Sequence, residues 1–350
     1  MSKFHLALAS TPVDRRVLMK GAAAAGAMSL AMRVPGVAGA QEPLRIAFSV
    51  PGLNFPFFVH MVSLAEQHAA DIGGIEFITL DGQEGGQPSS TKQTADLEAM
   101  VAQGIDGLVI SPNDAAALAP AIQSVIDAGI PVVTVDRNVA ADVLTLAHVG
   151  ADNVEGGRVQ GRYLIEILPD GGEIFELQGQ PGASAAIDRN AGLTEVLDEQ
   201  DAVEVIVSQP AAFARAEAVR VVEASLASNP EPDAIVCAND DMAFGAAEVA
   251  LANGLDIPVI GFDALPEALI AIGEGRMAAT IEQFPGQQAT QAMDILLAFI
   301  DDGTEPEEHD LYLSPALITA DNLGEAERAA EAGIEADAME GATPEATPAG

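Results

Sequence analysis

The sequence predicts an α/β fold of two doubly wound parallel-sheet lobes. Three observations lead there. Short, continuously apolar, β-branched runs alternate with stretches of helical periodicity. The alternation runs through two series of similar length. Helices stop and strands start on clear punctuation, at Ala128-Gly129-Ile130-Pro131 and at Ala252-Asn253-Gly254 ahead of Asp256-Ile257-Pro258. A chain of 350 residues with 49% hydrophobic content is ample for two cores.

In the first series, strands are expected near residues 45–50, 76–80, 107–111, 131–136 and 147–150, with helices near 58–72, 91–103 and 116–128 between them. In the second, strands are expected near 173–178, 203–208, 234–238, 258–262 and 279–282, with helices near 184–199, 215–228, 241–253 and 265–273. The repeat is architectural, since no residue-level repeat is visible. In such sheets ligands gather beyond the carboxyl ends of the strands. Those ends carry Asn54 with Phe57 and Phe58, Asp136-Arg137, Asn239-Asp240-Asp241 and Gly261-Phe262-Asp263. Aromatic residues make up only 4% of the chain, so a phenylalanine cluster stands out.

The first forty residues read as an export address. Asp14-Arg15-Arg16-Val17-Leu18-Met19-Lys20 is a twin-arginine pattern, an apolar stretch follows over 21–32, and Ala38-Gly39-Ala40 offers a small-x-small cleavage site. Cleavage after Ala40 leaves Gln41 first, with no Cys to carry a lipid, so a free periplasmic protein is expected. Removing that segment takes away five cations and one acid and moves the net charge from −38 to −42. Such a field disfavours nucleic acid and anionic lipid as partners. We read it as a solvated surface suited to high salt.

Cys237, the one cysteine, lies in the apolar run Ala234-Ile235-Val236-Cys237-Ala238 and reads as a buried structural thiol. The histidines are scattered; His60 and His68 share one expected helix and read as a solvated face rather than a metal site. No metal, cofactor or catalytic set is expected. Residues 323–350, rich in Ala, Glu, Gly, Thr and Pro, read as a disordered acidic tail with a transient helix near 325–332.

Seven short fragments, in order and at matching spacing, carry a resemblance. They are Phe48-Ser49-Val50 with Asn54-Phe55-Pro56-Phe57-Phe58; Val133-Thr134-Val135-Asp136-Arg137; Glu176-Leu177-Gln178-Gly179 with Ala185-Ala186-Ile187-Asp188-Arg189; and Ser208-Gln209-Pro210-Ala211-Ala212-Phe213. The rest are Ala238-Asn239-Asp240-Asp241-Met242-Ala243, Gly261-Phe262-Asp263 and Ala279-Thr280-Ile281-Glu282-Gln283. Over residues 44–322 the chain resembles the ribose-binding family of periplasmic sugar receptors, whose fold is periplasmic binding protein type I, two lobes joined by a three-stranded hinge.

The resemblance implies crossings near Ala151, Gln283 and Tyr312. It implies an N-terminal lobe of 44–150 plus 284–312 and a C-terminal lobe of 151–283 plus 313–322, with a last strand near 314–319. It implies sugar stacking by Phe57 and Phe58, a third aromatic Phe213 from the far lobe, a hydroxyl-binding pair Asp136 and Arg137, and contacts from Arg189, Asn239, Asp263 and Gln283. Phe55 departs from the pattern: the family has Asn there, so ribose itself gives way to pentoses, hexoses and polyols.

These residue types suit the task. Asp accepts hydrogen bonds, Arg donates a planar fork, and Asn and Gln do both. Each also has a plainer reading: Phe57 and Phe58 as core, Asp136 as a helix N-cap, Arg189 as a surface ion pair, Asn239 and Asp263 as turn residues, and Asp240 and Asp241 as helix N-terminal charges. The expected function is the substrate-binding protein of an ABC sugar importer, a monomer that meets the importer's membrane subunits. The alternatives are a periplasmic sugar sensor feeding a chemoreceptor or sensor kinase, and a sugar-modifying enzyme.

Overall fold

The computed structural model describes residues 42–335. The export-signal reading of 1–40 and the last part of the tail, 336–350, lie outside them. Along the chain, β1 (Leu44–Val50), α1 (Pro56–Ile72), β2 (Ile75–Asp81), a two-residue-per-arm hairpin β3 (Gln83–Glu84) and β4 (Gln87–Pro88), α2 (Ser90–Gln103), β5 (Gly107–Ile110), α3 (Ala119–Asp127), β6 (Val132–Val135) and β7 (Ala147–Ala151) come first. Next are α4 (Asn153–Ile167), β8 (Gly172–Gln178), α5 (Ser184–Asp198), β9 (Val203–Pro210), α6 (Arg215–Leu226), β10 (Ala234–Cys237), α7 (Asp240–Ala252), β11 (Val259–Ile260) and α8 (Pro266–Gly273). The chain then returns through β12 (Thr280–Glu282), α9 (Pro285–Asp302), β13 (Asp310–Leu313) and β14 (Ala316–Ile318).

These strands make two parallel sheets. One has six strands in the order β13-β7-β6-β5-β1-β2, the other four in the order β11-β10-β8-β9. β12 and β14 form a separate antiparallel pair, with Glu282 opposite Ala316. The chain passes between the two halves three times, after β7, after β12 and between β13 and β14. The inner strands β5, β6 and β10 are buried along their whole length, which is why they read as apolar runs, broken only by Thr134 in β6. Gly129 and Gly254 take φ of 83° and 74° just past α3 and α7, so the stop signals read from sequence are left-handed turns that only glycine adopts freely.

Cys237 is buried in β10. It belongs to the apolar core, and burial, helped by the nearby Asp240 carboxylate, pushes the thiol well above its ordinary range. His148 on β7 is also buried, with Nδ1 3.0 Å from Thr134 Oγ1.

Two helices had no counterpart in the sequence reading. α4 contains Gly156, Gly157 and Gly161, which weaken its helical signal. The glycines serve packing: a Cβ on Gly157 would collide with the Arg189 carbonyl, and one on Gly192 of α5 with the Val154 carbonyl. α9 lies across β5, β6 and β7.

The expectation of a disordered tail from residue 323 is corrected. Leu323–Glu325 and Ala329–Ala332 are 3-10 turns, and Ala326 and Ala329 are buried. Ala326 joins Ala264, Leu269 and Ile318 in a small apolar cluster, with Leu323, Ala332 and Ile334 around it. Alanines are small enough to fit against α8, and the charged residues between them have partners, so this composition packs where a longer acidic run would stay in water.

Candidate ligand-binding site

The carboxyl ends of strands from both sheets face one another. Between them is a cavity of about 310 Å³, lined by Phe55, Phe57, Phe58, Asp136, Arg137, Ala185, Arg189, Phe213, Asn239, Asp263 and Gln283. All ten residues named from sequence lie on this one surface; Ala185, a small residue on α5, was not named. A larger groove of about 690 Å³ beside Phe244, Leu251, Ile257 and Met277 shares no residue with it. In the smaller cavity charged and amide side chains from both halves converge on one space.

β1 delivers the aromatic wall. After it the chain turns, Phe55 takes the extended N-cap conformation, and Pro56 opens α1, where its missing N–H costs nothing. Phe57 and Phe58 follow on the first turn, packed edge to face at 5.2 Å, with Phe55 edge-on to Phe58 at 6.3 Å. They belong to the core and line the cavity at once.

β6 delivers the first charged pair. Asp136 has φ of 60°, and the Arg137 N–H closes back on the Val135 carbonyl at 2.6 Å. No helix follows Asp136, so the N-cap reading is set aside. Ser111 Oγ donates to Asp136 Oδ2 at 3.1 Å, and Arg137 Nε lies 3.7 Å from the same oxygen. The Arg137 guanidinium sits against the rings of Phe58 and Phe213, at 5.4 and 5.1 Å.

The second pair comes from α5 and the loop after β11. Arg189 Nε donates to Asn153 Oδ1 at 2.8 Å and Nη1 to the Ala238 carbonyl at 2.6 Å. The fork lies 3.6 Å over the Phe262 ring and 3.6 Å from Asp263 Oδ1. Arg189 is therefore buried rather than a surface ion pair. Asp263 accepts from Gln283 Nε2 at 2.6 Å, while Gln283 Oε1 is buried with no hydrogen-bond partner and offers a free acceptor beside the cavity. Asn239 lines the cavity and also caps α7, accepting from the Met242 N–H at 3.0 Å.

Among the described residues, six non-glycines have positive φ: Asp136, Ala212, Phe213, Asp263, Ala264 and Phe284. Three line the cavity and the other three are chain neighbours of residues that do. Backbone strain of this kind concentrates where a site must hold side chains in fixed directions.

Burial governs the electrostatics. It raises the carboxyls of Asp136 and Asp263, the latter to about 7, and lowers Arg137 to about 10; the opposite charges of the neighbouring arginines and aspartates counter each shift. Asp240 was read only as a helix N-terminal charge. It is in the first turn of α7, but is wholly buried, accepting from the Leu265 N–H at 2.9 Å and Thr280 Oγ1 at 2.8 Å. It braces the loop that carries Asp263.

At the mouth the halves bond directly. Gln180 Nε2 donates to the Asn113 carbonyl and Oδ1 at 3.0 and 2.7 Å, the Ala115 N–H to the Gly182 carbonyl at 3.0 Å, and the Asn138 N–H to Ser184 Oγ at 2.8 Å.

Residues 46–305 match the family model described as periplasmic binding protein domain. The chain is 38% identical to the ribose import binding protein of Bacillus subtilis over 267 residues, 75% of this chain and 85% of that protein. Among solved structures, the Caulobacter myo-inositol binding protein bound to myo-inositol matches with a TM-score of 0.77 at 38% identity, covering 82% of this chain and 97% of that one. A galactofuranose binding protein matches with a TM-score of 0.77 at 30% identity, covering 83% and 100%.

Proposed function

We propose, on the premise that this chain belongs to the periplasmic binding protein domain family, that it is the substrate-binding protein of an ABC sugar importer. It captures a monosaccharide or polyol by closing two lobes over it, with lobe boundaries near residues 151, 283 and 312. The observation that carries the reading is the convergence of four phenylalanines, two Asp–Arg pairs, Asn239 and Gln283 on one small cavity. Each buried arginine stands beside a buried aspartate, so the cavity offers a charged ligand no lone counter-charge to meet. A neutral ligand with a rim of hydroxyls meets both needs: it donates to the aspartates and to Gln283 Oε1, and accepts from the arginine forks. Its C–H faces lie on the rings. Ribose, myo-inositol and galactofuranose, bound by the relatives, are all ring-shaped molecules of this class. Phe55 removes an amide from the rim and favours a ligand without a hydroxyl at that point.

The rest of the reading follows from the same role. Twin-arginine export with cleavage after Ala40 delivers a free periplasmic monomer, which hands its cargo unchanged to membrane subunits and binds no nucleic acid. The test is a thermal-unfolding screen across pentoses, hexoses, inositols and linear polyols. A ligand at a hundredfold excess over its Kd stabilises by about 2.7 kcal/mol, several degrees in Tm. No rise with any of these compounds at millimolar concentration refutes the reading, and conversion of the sugar during incubation points to an enzyme.

A further inference from the structure

We infer that the C-terminal segment from Leu323 to Ile334 is a strap that ties the two halves together at the hinge and positions Gln283, and so sets how readily the cleft opens. One end is fastened to the four-stranded half. There Ala326 packs with Leu269 and Ile318, and the turn Ala329–Ala332 lies on α8. Acidic side chains of the same stretch reach the six-stranded half. Glu327 Oε1 accepts from the Gly286 N–H at the start of α9 at 2.9 Å and lies 3.1 Å from His60 Nε2 on α1. Glu331 Oε1 is 3.3 Å from the other nitrogen of the same imidazole. α1 and α9 pack on each other, so both attachments hold one body.

The strap also grips the crossing itself. Glu282 Oε2 accepts from the Glu327 N–H at 2.8 Å, while Glu282 Oε1 accepts from the N–H groups of Gln283 and Phe284 at 2.8 and 2.7 Å. Phe284, the second of the two residues between β12 and α9, has φ of 55°, an unfavourable conformation for a bulky side chain that its surroundings must hold. Gln283 is thus one carboxylate away from the strap and one hydrogen bond away from Asp263. Glu327 and His60 act as positioning residues, since neither lines the cavity.

The strap rests on the reading of a cleft that opens and closes, not on which sugar it takes, and the two are separable. Glu327→Ala and His60→Leu are made in the full chain, and the ligand-free radius of gyration is measured by small-angle scattering. Affinity is then measured by calorimetry with the best sugar from the thermal screen. His60→Leu leaves the Glu327 cap on α9 in place, so it keeps the test standing should Glu327→Ala not fold. Both variants are expected to have a larger ligand-free radius and about fivefold weaker binding, because a smaller closed fraction scales the apparent Kd directly. An unchanged radius overturns the strap, whether or not affinity changes. A larger radius in a protein for which no sugar binds either form supports the strap and sinks the sugar reading alone.

Discussion

Arg137 and Asp136 are neighbours at the end of β6, and both are almost wholly buried. Truncating one partner of such a pair costs about 2–5 kcal/mol of binding, largely because the other charge is left unmatched. Arg137→Ala is therefore expected to fold and to lose ligand affinity by about a hundredfold or more, read by calorimetric titration beside a urea melt. Unchanged affinity removes Arg137 from the site. His148 illustrates a different residue-scale effect. Burial, outweighing the carboxylate of Asp310, lowers its pKa from 6.5 to about 4. The folded state then binds fewer protons than the unfolded chain between those values, so stability is full above pH 6.5 and falls as pH drops toward 4. His148→Gln is expected to recover about 2–3 kcal/mol relative to the parent between pH 7 and 4.5, as urea midpoints at the two pH values would show. Asp136, Arg137 and Asp263 were legible because they follow strand ends, and Arg189, inside α5, because cations are scarce in this chain. Ser111 and Asn153, which hold Asp136 and Arg189, were not, since a lone Ser or Asn in a sequence carries no sign of what it will touch.

At the scale of elements, the α4–α5 crossing links packing to the site. The Arg189 carbonyl lies where a Gly157 side chain would be, so α4 can approach α5 only through a bare backbone. Gly157→Ala pushes the helices apart and carries the Arg189 backbone away from Asn153. Overpacking of this kind costs about 1–3 kcal/mol, and a lower Tm with weaker sugar binding is expected. A variant that loses stability but keeps affinity would show that Arg189 is positioned independently of this crossing. The same glycines hid α4 from sequence reading, because propensity counts against them while tertiary packing requires them. The strap was hidden for the opposite reason. Ala326 and Ala329 add little to any apolar periodicity, yet both are buried, and Glu327 and Glu331 look like solvated charge until Gly286, His60 and Glu282 are brought close.

At the scale of the molecule, the two parallel sheets were legible because β-branched runs buried on both faces admit few other architectures. The order of strands within each sheet, and the separate pairing of β12 with β14, depend on contacts distant in sequence that no local pattern encodes. The hydrogen bonds at the cleft mouth, from Gln180, Ala115 and Asn138, are made by protein to protein. Shutting is thus rewarded before any cargo arrives, and some fraction of unloaded molecules must share the outline of loaded ones. Machinery that senses that outline alone would answer to vacant carriers as well, a background rate that scales with how much of the protein is present rather than with how much sugar.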